Sequence, residues 1–459
     1  MNSNYEARLG QDPIAPLIFR MALPTVAAQL VNLLYNLVDR IYIGHIPGIG
    51  NDALAGVGVT SSVIVLISAF SSIVSGGGAP LASIAMGQGN HARAERILGN
   101  GFLLLILFTV GTASVSYAFL EPLLRLIGAS DVTLPYAMDY LSIYLAGTLF
   151  VQLSTGLNTF ITAQGRPGVA MLSVMIGAGL NTILDPIFIF YFGMNVAGAA
   201  WATILSQGCS AAFVLGFLFS RHASLRIRWS CVRPDRKVIG AMLALGVSPF
   251  IMASTESLVG FVLNGSLRPY GDIYVSALTV MQSAMQLVSV PLTGFSQGFV
   301  PVISYNYGHG DSARVRGCLK VVFPVMVLFN LIMVLAMVLF PSAVASLFTD
   351  SAVLRAEVRW AMPLFLSGMT IFGLQRTCQN IFVSLGQAKI SLFIALLRKI
   401  ILLIPLVLIF NRIWHLPGIF VAETVADATA AITCTIIFAI RFPKLMKKLD
   451  EAPQSPAAG

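Results

Sequence analysis

The sequence predicts an all-α integral membrane protein whose twelve transmembrane helices form two six-helix bundles related by a pseudo-twofold axis along the membrane normal. Three observations lead to this fold class. Of the 459 residues, 57% are hydrophobic and only 10% are charged, whereas soluble proteins carry about 25% charged residues. The charges lie between long apolar segments, and the second half of the chain repeats a series of features of the first.

The apolar segments have the length that a helix needs to cross a bilayer core, about 20 residues. Turn residues and charges separate them from one another. The predicted limits are 14–43, 53–85, 96–120, 134–163, 168–192, 196–219, 238–267, 273–304, 317–340, 358–384, 389–411 and 416–440.

The basic residues are distributed unevenly between the two sides of these segments. If the N-terminus is cytoplasmic, 21 Lys and Arg residues fall on the inner side and 6 on the outer side, with Arg376 inside a span. Such a bias predicts that both termini are cytoplasmic. The net charge of +9 therefore indicates orientation rather than a nucleic-acid partner. The chain's start does not predict a removable signal peptide.

The five cysteines contain no CxxC pair, and the five histidines fall at predicted helix ends or in loops. This pattern predicts neither a disulfide framework nor a zinc site. A histidine-based metal centre inside the membrane is not expected.

The two halves of the chain correspond feature by feature, at offsets of 219 to 225 residues. The matched pairs include Pro24 with Pro249, Pro80 with Pro301, Pro122 with Pro341, and Asp131 with Asp350. Because each half has an even number of spans, both halves enter the membrane from the same side, as parallel repeats do. The predicted domains are an N-lobe at 1–220, a basic cytoplasmic linker at 221–237, a C-lobe at 238–440 and a polar cytoplasmic tail at 441–459. The tail is expected to be disordered after Lys448.

The first span carries an aspartate, Asp39, about four residues before its outer end. Gln29, Asn32 and Asn36 precede it at helical spacing, so the four polar side chains share one face. Lipid would leave the amides unsatisfied, so this face is expected to point into the bundle or a water-filled cavity. An ionisable group there is a candidate functional site. The alternative is that Asp39 reaches the outer interface or is neutralised by Arg40.

A second acidic group lies on the fifth span, where Asn181 and Asp185 are four residues apart and share a face. Pro186 has no N–H, so the carbonyl of Thr182 loses a helical hydrogen bond. Such an all-oxygen cluster suits a hard cation or a proton. Thr203 and Asn158, on neighbouring spans, are candidates for further oxygens. The alternative is a kinked helix with a hydrogen-bonded Asp–Asn pair.

The second half lacks the corresponding acids, since Asn264 stands where the repeat places the partner of Asp39. Glu256 is left to attract a cation or to pair with Arg376. A structural ion-pair cluster of the second bundle, or less readily a role in transport, is predicted for four further residues, Arg398, Lys399, Glu423 and Asp427.

Over some 440 residues the chain resembles the multidrug and toxic compound extrusion (MATE) family, and within it the MepA-like bacterial multidrug exporters. The residues that carry the likeness are Pro24 with QLVNLLYNLVDRIYIG, then AMGQGNHARAE, LNTFITAQGRP, GAGLNTILDPIFIF and GAAWAT.

The resemblance implies a secondary antiporter, not an enzyme, that exports cationic, amphipathic compounds in exchange for sodium ions or protons by alternating access. It implies a multi-pass protein of the bacterial inner membrane, with the lipid bilayer and cationic small molecules as partners, no cofactor, and a monomeric state. It places the cation or proton site, with sodium as one candidate, at Asp39, Asn181 and Asp185, helped by Asn158 and Thr203.

The substrate pathway is expected to use polar and methionine side chains, because methionine adapts its shape to varied ligands. The candidates are Gln29, Asn32, Asn36, Met175, Glu256, Gln282 and Met285. For any single methionine the alternative is ordinary apolar packing. Two other functions stay open at this point, a lipid-linked saccharide flippase of the same superfamily and an intramembrane enzyme; a channel is a further, remoter class.

Overall fold

The computed structural model describes residues 3–451, and within them every regular element is helical. The helices are α1 (Ser3–Gln11), α2 (Ile14–Gly44), α3 (Gly50–Ile73), α4 (Ala79–Gly87), α5 (His91–Ala118), α6 (Leu120–Ile127), α7 (Leu134–Ala163), α8 (Pro167–Pro186), α9 (Asn195–Phe219), α10 (Arg236–Leu267), α11 (Asp272–His309), α12 (Ser312–Leu339), α13 (Pro341–Ser346), α14 (Ala352–Leu366), α15 (Phe372–Ser384), α16 (Ala388–Leu396) and α17 (Ile404–Glu451).

Three π-helical segments continue α-helices without a break: Val74–Gly78 joins α3 to α4, Ile187–Tyr191 extends α8, and Leu397–Leu403 joins α16 to α17. Short 3-10 turns lie at Trp229–Cys231, Arg268–Tyr270 and Ser367–Ile371.

Ten helical segments of the described chain are long and apolar enough to cross a membrane. One of them, Ala388–Glu451, is two helices, because His415 has φ 54° and ψ −135° and breaks the helical path. The predicted span 358–384 is divided by the turn Ser367–Ile371 into α14 and α15, each of which is shorter than 18 residues. With Ala388–Glu451 counted as two spans, and α14 together with α15 counted as one more, the ten segments account for the twelve predicted spans.

The helices repeat along the chain as the sequence predicts. α5 and α12 are both 28 residues long, and α12 begins 221 residues after α5. Short helices α6 and α13 follow them at the same interval. The first six spans form the N-lobe and the last six form the C-lobe. Buried apolar residues fill each bundle, and the first turns of α2 pack among those of the C-lobe.

The lobes approach most closely at the end of the molecule where α2 begins, here called the linker end because the connection from α9 to α10 lies there. Small residues allow the approach, as is common between membrane helices. A Cβ on Gly298 of α11 would lie 2.3 Å from Ala22 Cα of α2, and a Cβ on Gly77 would lie 2.4 Å from the Met242 carbonyl oxygen of α10. The hydroxyl of Thr25 donates to the Gly294 carbonyl across the same contact, at 2.7 Å.

Helix α1, which the sequence analysis did not predict, lies across both lobes at the linker end. Leu9 is buried among apolar residues of the C-lobe, and its carbonyl accepts a hydrogen bond from Asn306 at 2.9 Å. On the N-lobe side, the Glu6 carboxylate lies 3.6 Å from His91, and the Arg166 guanidinium stacks over the Tyr5 ring at 4.4 Å. One short helix thus contacts both bundles.

The C-terminal prediction needs a correction. Disorder was expected after Lys448, but α17 continues to Glu451. Asp450 pairs with Arg316 at 2.8 Å and also accepts a hydrogen bond from Ser312. These contacts with α12 order residues whose composition alone favoured disorder. The rest of the predicted tail, 452–459, lies outside the described residues.

Candidate cation site and substrate cavity

A cavity of about 420 Å³ opens into the N-lobe, between α2, α3, α7, α8 and α9. The polar face predicted for the first span lines it, from Gln29 through Asn32 and Asn36 to Asp39. The structure therefore places this polar face in the interior of the bundle, as the sequence predicted. Asp39 is only 8% exposed, so its carboxylate faces the cavity from within the bundle rather than the outer interface.

The Asp39 carboxylate has no fixed cationic partner in the described part of the chain. Its Oδ1 atom is buried without a hydrogen bond. Arg40 follows in sequence and also lines the cavity, but no ion pair within 4.0 Å joins it to Asp39 among residues 5–451. Adjacent residues on a helix do not face each other. Arg40 thus acts on the Asp39 carboxylate electrostatically, without an ion pair.

Asn181 and Asp185 lie behind the wall of this cavity and are 2% and 0% exposed. The Asn181 amide donates to Asp185 Oδ1 at 3.1 Å, and at 3.5 Å it approaches the Thr203 hydroxyl, which lines the cavity. Asn181 Oδ1 and Asp185 Oδ2 are buried and unpartnered. The Asp185 and Asp39 carboxylates are close enough to repel each other electrostatically. Asn181 and Asp185 thus share a face, as their spacing predicted, and Thr203, the candidate for a further oxygen, lies next to Asn181.

Local backbone structure holds this second group in place. Pro186 ends the regular part of α8, and the π-helical segment Ile187–Tyr191 follows it. Pro lacks the N–H that an α-helix needs at this point, so the regular hydrogen-bond pattern is interrupted directly after Asp185. The interruption lies one residue from the acid.

Two predicted site residues have other surroundings. Asn158 lines the cavity, but its amide donates to the Ala170 carbonyl at 3.1 Å and its oxygen accepts from Ser173 at 3.2 Å. These bonds hold Asn158 beside the first turns of α8, away from the acids. Met175 is 46% exposed on the helix surface, and Met171, one turn earlier, lines the cavity in its place. Met175 does not line this cavity, and its part in the substrate pathway stays a prediction.

The sequence analysis missed several polar residues of this cavity. Gln297 of the C-lobe accepts a hydrogen bond from the Gln29 amide at 3.0 Å, and Gln207 accepts one from the Ser154 hydroxyl at 2.8 Å. Each glutamine lies in an apolar span, and that signal was available in the sequence. Tyr140 and Tyr144 also line the cavity, but tyrosine is too common in membrane helices to stand out.

In the C-lobe, a smaller cavity of about 130 Å³ contains Glu256, Met285 and Arg376 in its lining. Gln282, one turn before Met285, lies outside that lining. The Glu256–Arg376 ion pair that the sequence left open is not formed within 4.0 Å in the described chain. A terminal guanidinium nitrogen of Arg376 donates instead to the Thr293 hydroxyl at 2.6 Å.

The four charged residues of the last spans form one buried cluster. Arg398 donates to both oxygens of Asp427, at 2.5 and 3.0 Å. Glu423 lies 3.5 Å from Lys399 and 3.8 Å from Arg398. Asp427 and Glu423 are each 1% exposed. Each acid thus has a cationic partner, as the structural interpretation of this cluster requires, although Glu423 Oε2 is buried without a hydrogen bond.

Comparison with known proteins agrees with the repeat. A family model described as MatE matches residues 24–187 and again residues 249–409. The two matches begin at Pro24 and Pro249, the first pair of prolines in the repeat.

Curated relatives match over nearly the whole chain. The multidrug export protein MepA of Staphylococcus aureus (strain MRSA252) is 22% identical over 428 residues, which are 93% of this chain and 94% of that protein. MepA of Staphylococcus haemolyticus (strain JCSC1435) is 22% identical over 426 residues, 92% of this chain and 93% of that protein.

Solved structures share the fold. A MATE structure in the bent conformation has a TM-score of 0.89 at 24% identity, covering 97% of this chain and 99% of that one. A MOP superfamily transporter from Pyrococcus furiosus, whose structure is described as having a binding pocket of reverse polarity, has a TM-score of 0.88 at 23% identity, covering 95% and 98%. Since the family model matches well over half of the chain, in two consecutive copies, this chain belongs to the MatE family, the multidrug and toxic compound extrusion proteins.

Proposed function

We propose that this protein is a secondary active antiporter of the bacterial inner membrane that exports cationic, amphipathic compounds in exchange for sodium ions or protons. Family membership and the MepA relatives, which are named multidrug export proteins, support transport rather than enzymatic catalysis. The observation that carries the coupling mechanism is the buried group around Asp39 and Asp185. It holds three oxygens without partners, Asp39 Oδ1, Asn181 Oδ1 and Asp185 Oδ2.

Such oxygens are costly in a low-dielectric interior unless a positive charge reaches them. Two of them are carboxylate oxygens and one is an amide oxygen, the Thr203 hydroxyl lies beside them, and such oxygens are the ligands of hard cations. A sodium ion or a proton entering from the cavity satisfies them. Charge neutralisation at this place is the event that the proposal couples to transport.

Coupling requires that the ion binds one conformation better than the other. Helix α2 links ion binding to the arrangement of the lobes, because it carries Asp39 near one end and the contact of Ala22 and Thr25 with α11 near the other. If the basic linker is cytoplasmic, the close approach of the lobes at the linker end shuts the cytoplasmic side. The cavity then faces the outside in this conformation, ready to release substrate and to receive the ion.

The same cavity suits a cationic, amphipathic substrate. Asp39 attracts positive charge, the amides of Asn32 and Asn36 accept or donate hydrogen bonds, and the apolar side chains of Val57 and Ile64 offer surface for rings. Its charged lining residues are Asp39 and Arg40. A lipid-linked saccharide flippase would need several cations for the phosphates, so antiport is the better fit.

The test is transport by purified protein in vesicles, with Asp39→Asn and Asp185→Asn as separate variants. Both changes keep side-chain shape and remove the titratable charge. We expect both variants to lose cation-driven efflux of a fluorescent cationic dye. Asp52→Asn is the matched control, because Asp52 is an exposed aspartate of the same lobe, and it is expected to retain efflux.

The experiment has two arms, a sodium gradient without a pH difference and a pH difference without sodium. The ion whose gradient drives efflux by the unmodified protein is the coupling ion. Efflux that continues undiminished in both variants, under the gradient that drives the parent, would refute the proposal.

A further inference from the structure

The C-lobe contains a cationic side chain that the proposed cation coupling does not use. Of the three basic residues that line its small cavity, Arg398 and Lys399 each have an acid within 4.0 Å. Arg376 has none in the described part of the chain. Its Nε is buried without a hydrogen-bond partner, and one terminal nitrogen donates to Thr293. In the described part of the chain no hydrogen bond engages its other terminal nitrogen, which is therefore free to donate to a ligand.

Arg376 lies where a ligand can reach it. It lines the small C-lobe cavity and also a larger cavity of about 350 Å³ between the lobes. The larger cavity is bounded on the N-lobe side by Ser72, Ser75 and Thr159, and on the C-lobe side by hydrogen-bonding side chains that include Asn380. A guanidinium at the wall between two connected spaces, surrounded by hydroxyls and amides, is an anion-binding environment.

One acid is placed near this guanidinium without neutralising it. Glu256 is exposed to the same two cavities and acts on Arg376 electrostatically. The two charges are nevertheless more than 4.0 Å apart, since they form no ion pair. The pair thus offers a positive and a negative group, side by side and unjoined, to a molecule between the lobes.

We propose that Arg376 and Glu256 form a subsite for zwitterionic substrates, in which the Arg376 guanidinium binds the carboxylate and Glu256 faces the cationic group. This inference rests on the proposed export function and narrows its substrate class to amphipathic cations that also bear a carboxylate. A planar carboxylate matches the parallel N–H donors of a guanidinium. A single halide ion would use that geometry less well.

The test uses equilibrium binding of two fluorescent dyes to the purified full-length protein. A carboxyrhodamine and its methyl ester share one cationic ring system and differ in the free carboxylate. Hydrogen bonds to a charged group contribute about 1.5–3 kcal/mol, and 1.4 kcal/mol is about tenfold in affinity. We therefore expect Arg376→Met to weaken carboxyrhodamine binding by about 10- to 100-fold and to leave methyl ester binding within about twofold.

Glu256→Gln is the complementary variant. Because Glu256 faces the cationic group in either dye, we expect this change to weaken the acid and the ester by a similar factor. Equal effects of Arg376→Met on the two dyes, or no effect on either, would overturn the proposal.

A second measurement needs no variant and so does not depend on folding of Arg376→Met. Benzoate added to the unmodified protein is expected to displace the carboxyrhodamine and not the methyl ester. Displacement of neither dye by benzoate, or displacement of the acid by chloride but not by benzoate, would overturn the subsite. If the protein binds both dyes as expected but no ion gradient drives efflux, the export function fails while the subsite stands.

Discussion

Closure of the lobes at the linker end depends on the absence of a side chain at Gly298. A Cβ at this position would lie 2.3 Å from Ala22 Cα and 2.8 Å from the carbonyl carbon of Met21. Ordinary Cβ contacts are 3.4–4 Å, and the atoms that it meets belong to the backbone, which cannot turn away. In Gly298→Ala, helices α2 and α11 must move apart by about 1 Å, which shifts the equilibrium away from this conformation.

The size of the shift follows from the cost of overpacking, which is about 1–3 kcal/mol for one added methyl group. At 1.4 kcal/mol per factor of ten, the ratio of closed to open linker end falls by roughly 5- to 100-fold. Gly260→Ala is the matched control, because a Cβ on Gly260 of the neighbouring helix α10 meets nothing within 4 Å. Both substitutions change helix propensity equally, so only the steric overlap differs.

The assay is labelling of a cysteine placed at Met21, which is 2% exposed and packed against α11. Cys209 and Cys231 are first replaced by serine, since the other three cysteines are buried. We expect a thiol reagent to label Met21→Cys several-fold faster in Gly298→Ala than in the parent or in Gly260→Ala. Equal labelling rates in all three proteins would show that the glycine contact does not hold the linker end shut.

Two further predictions concern charges. Arg398→Met leaves Asp427 buried without its partner and is expected to destabilise the protein by about 3–5 kcal/mol. Combining Arg398→Met with Asp427→Leu is expected to recover much of that loss. Thermal unfolding in detergent measures the stability of both variants, and a double variant no more stable than the single one would contradict this expectation. Outside the membrane, burial raises the pKa of the Glu6 carboxyl above its ordinary value, and His91 lowers it part of the way. A raised folded-state pKa means that binding of α1 is strongest below the ordinary pKa of 4.5 and weakens as pH rises through the raised value. Hydrogen exchange of the α1 amides, corrected for intrinsic rates, is therefore expected to speed up over that interval in the parent but not in Glu6→Gln, and the same pH profile in both proteins would be the contrary result.

Several features of the fold follow from the sequence because lipid imposes simple conditions. A helix must be apolar over about 20 residues to cross the bilayer core, so hydropathy and turn residues locate most spans. The predicted fourth span, 134–163, coincides with Leu134–Ala163. The repeat also follows, because prolines at equal intervals mark equivalent places in two similar bundles.

Other boundaries depend on contacts that no local pattern shows. The turn Ser367–Ile371 interrupts the predicted tenth span, where the Asn330 amide of α12 donates to the carbonyls of Met369 and Thr370, at 2.8 and 2.9 Å. Thr424 of α17 accepts from the Gly368 amide in the same turn, at 3.1 Å. Side chains that are distant in sequence thus replace the helix's own hydrogen bonds, and a hydropathy profile does not reveal such contacts.

The residues of the candidate site likewise fall into those that the sequence placed correctly and those that depend on contacts between helices. The spacing of Asp39 and its amides, and of Asn181 and Asp185, gave the helix face of each group correctly. It did not show that Asn158 is hydrogen-bonded to the start of α8, because Ala170 and Ser173 lie in a different helix. Nor did it show that Arg376 lacks an acid, since that depends on the distance to Glu256 across the lobe.

The sequence by itself determined that this chain spans a bilayer, that it consists of two similar six-span halves, and that the second half has no counterparts of Asp39 and Asp185. These properties are local in the chain, since apolar length and the cost of a buried charge are set residue by residue. Only the tertiary structure decided which polar groups meet, which are left without partners, and at which end the lobes touch. Those outcomes depend on helices that are far apart in sequence and come together only when the bundles pack.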